Sequence, residues 1–128
     1  MQMRIKTLFK DNIIYIAICI SVAIGYLSLI QLDHQPMSIS HLDKIQHAFA
    51  YCVLATSWLL SFSKSITNKK LKYTIAIGCV FYGIIIEVLQ TTLTTYRTAS
   101  FLDILANTLG VFVALLIFDS IYKKIHAI

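Results

Sequence analysis

The chain has 128 residues, room for one domain. Apolar residues make up 58%, charged residues only 13%, and the mean hydropathy is +0.76. Soluble domains carry about 25% charged residues, and a water-soluble fold of this size could not hide so much apolar surface. The net charge of +5 does not point to nucleic acid, because Lys and Arg sit in short clusters between apolar runs and form no basic groove interleaved with aromatics.

The first apolar run covers residues 13–32 and holds no charge. About 20 residues at 1.5 Å each span a hydrocarbon layer of roughly 30 Å. Arg4, Lys6 and Lys10 precede it, as in a signal peptide. The run is longer than the apolar core of such a peptide, and no small-x-small cleavage site follows, so it reads as a retained helix. A polar link with the only proline, Pro36, leads to a second run over residues 43–62. Its first turn is charged, and Ser40 stands three residues before Asp43, a helix-start pattern. A basic loop containing Lys64, Lys69, Lys70 and Lys72 leads to a third run, residues 73–93, whose one acid is Glu87. A short link carries Arg97 and Ser100 to the fourth run, residues 101–118, and then to a tail with Lys123 and Lys124.

This pattern predicts an all-α integral membrane protein: a single domain over 1–128, folded as an antiparallel bundle of four transmembrane helices joined by short links. Ala106, Gly110 and Ala114, spaced by four, give the last helix a small-residue face suited to close packing in lipid. Cys19, Cys52 and Cys79 lie singly within apolar runs and read as packing residues.

Basic residues near span ends set orientation. Nine of the eleven fall in the N-terminal segment, the second loop and the tail, which share one side of a four-span chain. Only Lys44 and Arg97 fall on the other. Both termini are therefore expected in the cytoplasm, with the chain in the bacterial cytoplasmic (inner) membrane.

That orientation gathers the polar residues at one leaflet. Asp43, Lys44, His47 and Tyr51 open the second helix at its outer end, and Asp103 and Asn107 open the fourth. Glu87 and Gln90 lie near the outer end of the third, and Arg97 and Ser100 in the outer link. Asp43, His47 and Tyr51 are spaced by four and share a face, as do Asp103, Asn107 and the nearby Gly110. Glu87 lies roughly 21 Å along its helix from Tyr73. A charge deep in a span costs about 2.5–3.5 kcal/mol, so Glu87 needs a partner, a wet cleft or a proton. Arg97, Lys44 and His47 are the candidate partners.

These residues form an ordered set of patterns: D-K-x-x-H-x-x-x-Y from Asp43 to Tyr51, G-x-x-x-E-x-x-Q from Gly83 to Gln90, and R-x-x-S-x-x-D-x-x-x-N-x-x-G from Arg97 to Gly110. In this order, across three helices, the sequence resembles the VanZ-like family from about Asp43 to Phe118, while the first helix matches only as a generic span. The family's named member is associated with low-level resistance to the glycopeptide teicoplanin. The resemblance implies a cell-envelope setting and no defined reaction.

Two readings of the polar set stay open. It forms a buried network locking three helices, with Asp103 capping the fourth helix and Arg97 paired with Glu87 or Asp43, or it forms an outward-facing pocket. For a pocket, one function is binding of an envelope lipid or glycopeptide-related ligand through Lys44, Tyr51, Gln90, Arg97, Ser100 and Asn107. Another is a membrane-embedded hydrolase or transferase. There His47 is general base oriented by Asp43, Glu87 or Asp103 is the acid, and Arg97 stabilises charge. Whether the chain is an enzyme is left undecided. A third is a small accessory subunit of an envelope complex. Membrane lipid is the expected partner, nucleic acid is not, and both a second copy of the chain and an envelope complex stay open. No cofactor is expected, and no metal either, since the spacing is not that of HExxH and one histidine within the membrane is a thin anchor. His34, His41 and His126 read as solvated loop and tail residues.

Overall fold

The computed structural model describes the backbone of residues 2–29, 40–62, 69–93 and 101–127, with side chains over 12–29, 44–62, 70–93 and 101–124. These segments form four α-helices: α1 (Gln2–Leu29), α2 (Ser40–Ser61), α3 (Lys69–Leu93) and α4 (Phe101–Ala127). Among the described residues there is no strand. α1 extends back over the basic N-terminal segment and α4 forward over the tail, so both helices outrun their apolar runs. Asp103 falls in the first turn of α4, where the helix dipole favours an acid.

Among the described residues, three helices are long and apolar enough to cross a membrane, over Asn12–Leu29, Lys70–Leu93 and Phe101–Lys124. α2 is not among them, although four such spans were expected from the sequence. Lys44, Gln46 and His47 lower the apolarity of its first turns. α2 packs against each of the other three helices, most extensively against α4.

The bundle is dressed for lipid. Tyr15, Val22, Tyr26, Phe49, Phe81, Phe112 and Leu116 all project outward, while Ala17, Ala55 and Ala114 are fully buried between helices. Small residues inside and large apolar ones outside suit helix association in a bilayer, where close backbone contact replaces the hydrophobic effect. Three serine hydroxyls are satisfied within their own helices: Ser21 bonds the Ala17 carbonyl, Ser57 that of Val53 and Ser61 that of Ser57, each four residues back.

α2 and α4 meet backbone to backbone at Gly110. A Cβ placed on Gly110 would stand 2.1 Å from the Ala48 carbonyl oxygen. Only glycine fits, and the buried Ala106 and Ala114 extend the same small face. The small-residue stripe therefore packs inside the bundle, against α2.

The contacts also show which parts of the helices meet. In α1 and α3, Tyr82 Oη donates to the Ser21 carbonyl, and Gln90 Nε2 donates to the Ser28 carbonyl at 2.8 Å. Both positions move later along the two helices together. The first turns of α2 meet the first turns of α4 through Lys44 and Asp103, and the later part of α3 through His47 and Glu87. At the opposite end, Lys72 near the start of α3 lies 3.5 Å from Asp119 late in α4, with its ammonium 5.5 Å from the Phe118 ring centroid.

Candidate functional site

Three helices place ionisable side chains within a few ångströms of one another. His47 comes from α2, Glu87 from α3 and Asp103 from α4, and one ligand-type atom of each lies within 4.8 Å of the other two. Glu87 is 1% exposed and Asp103 8%. His47 Nε2 is 3.8 Å from Glu87 Oε1. That is an electrostatic contact and too long for a hydrogen bond. Lys44, one turn before His47, donates its ammonium to Asp103 Oδ1 and ties α2 to α4.

The magnitudes explain why this end of the bundle tolerates charge. Each charge in a span costs about 2.5–3.5 kcal/mol to insert. A unit-charge pair at about 4 Å in a medium of effective dielectric about 20 recovers roughly 4 kcal/mol. Pairing therefore offsets much of the insertion cost of the two charges, and truncating one partner is the damaging change.

One turn deeper is a second layer. Tyr51 follows His47 by four on α2, Asn107 follows Asp103 by four on α4, and Gly83 precedes Glu87 by four on α3. A Cβ on Gly83 would stand 3.0 Å from Asn107 Nδ2 and 3.1 Å from Tyr51 Cε1, so glycine lets both side chains reach the helix axis. Tyr51 and Asn107 are each 2% exposed. Among the described residues, Tyr51 Oη and Asn107 Oδ1 have no hydrogen-bond partner. An unmatched buried polar atom costs about 1–3 kcal/mol, so this layer is poised to take a complementary group.

Below that layer, on the α1 side, is an apolar cavity of about 380 Å³ lined by residues that include Leu54, Trp58, Gly78, Cys79 and Tyr82. Its polar rim is organised by α1: Trp58 Nε1 donates to Ser21 Oγ at 3.0 Å, and Tyr82 Oη to the Ser21 carbonyl. Tyr51 links the polar layers to this cavity, its ring centroid 6.4 Å from that of Tyr82.

The structure thus brings together Lys44, His47, Tyr51, Glu87, Asp103 and Asn107. Gln90 sits apart from them, on the α1 side, bonded to Ser28. The side chain of Asp43, and Arg97 and Ser100 entirely, lie outside the described residues, as do His34 and the side chains of His41 and His126. The part played by α1 was missed from the sequence, which gave it the role of a generic span. Two of its contacts use the Ser21 and Ser28 backbone carbonyls, which no residue type marks in the sequence.

A family model described as VanZ/LLP1 matches residues 15–122, nearly the whole chain. The chain belongs to the VanZ/LLP1 family. Family membership and three helices able to cross a bilayer make it a transmembrane protein. The match takes in all ten polar positions and most of α1, so the family's extent includes the helix that carries Ser21 and Ser28. Comparison with curated proteins and with solved structures gave no match.

Proposed function

We propose that this VanZ-like protein is an antiparallel four-span bundle in the bacterial cytoplasmic membrane, with both termini in the cytoplasm, and that its outward-facing polar pocket binds an envelope lipid. The observation that carries this reading is the pairing of a charged, partly open cluster with a separate apolar cavity in one bundle. Lys44 is suited to an anionic headgroup. Tyr51 and Asn107 supply a buried donor and a buried acceptor for its hydroxyl or amide groups. The cavity between Trp58, Gly78 and Tyr82 suits an acyl chain. The contact pairs between helices and the placement of nine of eleven basic residues support the orientation. The association of the family's named member with glycopeptide resistance supports a lipid-linked envelope component, or a glycopeptide-related ligand, as the occupant.

A second reading is supported by the 3.8 Å approach of His47 to Glu87. A neutral imidazole beside a carboxylate is a general-base arrangement, and the protein would then turn over what it binds. Native mass spectrometry of the gently purified protein, followed by incubation of the complex, separates the two. A binder releases the lipid unchanged, whereas an enzyme releases a product and loses turnover in His47→Ala.

A further inference from the structure

His47, Glu87 and Asp103 stand on three helices, so no spacing within one helix marks them as a group. We propose that they form the binding site for a single divalent cation of the zinc class. The donor set is one imidazole nitrogen and two carboxylates, the combination that zinc and its first-row neighbours take from proteins. The ligand atoms lie within 4.8 Å of one another. Ligands held at about 2.0–2.2 Å around one ion stand roughly 3–4 Å apart, so about an ångström of side-chain movement closes the shell.

Two carboxylates from different helices are a donor set that a cation complements. Lys44 takes Asp103 Oδ1 and leaves Oδ2 for the metal. Two carboxylates this deeply buried and this close repel each other, and a cation between them removes that repulsion.

An independent observation comes from the layer beneath. Asn107 Oδ1 is an amide carbonyl oxygen, buried and without a hydrogen-bond partner among the described residues, one turn from Asp103 on the same face. Such an oxygen is a hard donor that either a cation or a metal-bound water satisfies. Tyr51 Oη, one turn from His47, is the matching group on α2. Two carboxylates and one histidine make the ligand set, and the buried amide oxygen in the adjacent layer is a further hard donor one turn below it.

This inference goes beyond the lipid reading: the ion is held with or without a lipid, and metal content and bound lipid are read separately. The test uses the full-length protein in detergent, stripped with EDTA and titrated with zinc chloride, with cobalt(II) as a spectroscopic probe. The expected results are about one zinc per chain and a visible cobalt band without thiolate charge transfer. Glu87→Gln and His47→Ala should weaken zinc binding at least about tenfold. The triple variant Cys19→Ala, Cys52→Ala, Cys79→Ala should keep it. Absence of saturable zinc binding by the wild-type protein overturns the proposal. So does a thiolate cobalt spectrum, or unchanged affinity in a folded Glu87→Gln protein.

Discussion

Gly110 of α4 lies directly against the backbone of Ala48 in α2, so close that even a methyl group would meet the Ala48 carbonyl oxygen at 2.1 Å. This contact sets the spacing of the two helices, and the spacing brings Lys44 to Asp103 one turn or more away. Gly110→Ala must push the helices apart or bend one of them. Overpacking of this kind costs about 1–3 kcal/mol. Thermal unfolding in detergent should show a lowered Tm for Gly110→Ala, whereas Gly78→Ala, where a Cβ would meet nothing within 4 Å, should unfold like the wild type.

The Lys44–Asp103 pair joins two partly buried charges, with side-chain exposures of 29% and 12%. Removing one leaves the other in a poor solvent. Lys44→Met and Asp103→Asn should each destabilise by about 1–3 kcal/mol, and the double variant by less than their sum. Equal, additive losses in a double-mutant cycle would show that the two side chains are not coupled.

Gln90 holds α1 through the Ser28 carbonyl. Gln90→Leu should loosen α1 at that end and cost about 0.6 kcal/mol, the average for polar contacts between membrane helices, and at most about 1.7 kcal/mol. Cysteine-labelling rates along α1 provide the readout. Reactivity of the exposed native Cys19 should stay unchanged, while a cysteine introduced at Ile24, which packs on the core, should label faster in the Gln90→Leu background.

Orientation makes its own prediction. A reporter fused at residue 68 should report a cytoplasmic location, and one fused at residue 36 an external one. An external signal at residue 68 would turn the pocket toward the cytoplasm and remove the envelope ligand from its reach.

Much of the architecture can be read in the chain because helix periodicity and apolar length are local properties. The runs that became α1, α3 and α4 were visible as uncharged or nearly uncharged stretches, and Ala106, Gly110 and Ala114 marked a packing face. Periodicity also put Asp43, His47 and Tyr51 on one face and Asp103 and Asn107 on another. It could not say which neighbour each face would meet. Lys44, Arg97 and His47 were all candidates for Glu87; the structure sets His47 beside it and brings Lys44 to Asp103, while Arg97 lies outside the described residues. Nor could it foresee that α1 organises the cavity through Ser21, because one serine in an apolar helix carries no directional signal. α2 was the hardest element: its polar first turns leave it less apolar than the other three helices, each of which it packs against.

The central claim is that the polar pocket holds a lipid. Native mass spectrometry of the protein released from a mild detergent tests it most directly. The account predicts one defined lipid adduct per chain, reduced by about tenfold or more in Lys44→Met, which removes a charged contact worth about 1.5–3 kcal/mol. A wild-type protein that is folded yet carries no retained lipid, or an adduct undiminished in a folded Lys44→Met protein, would contradict it.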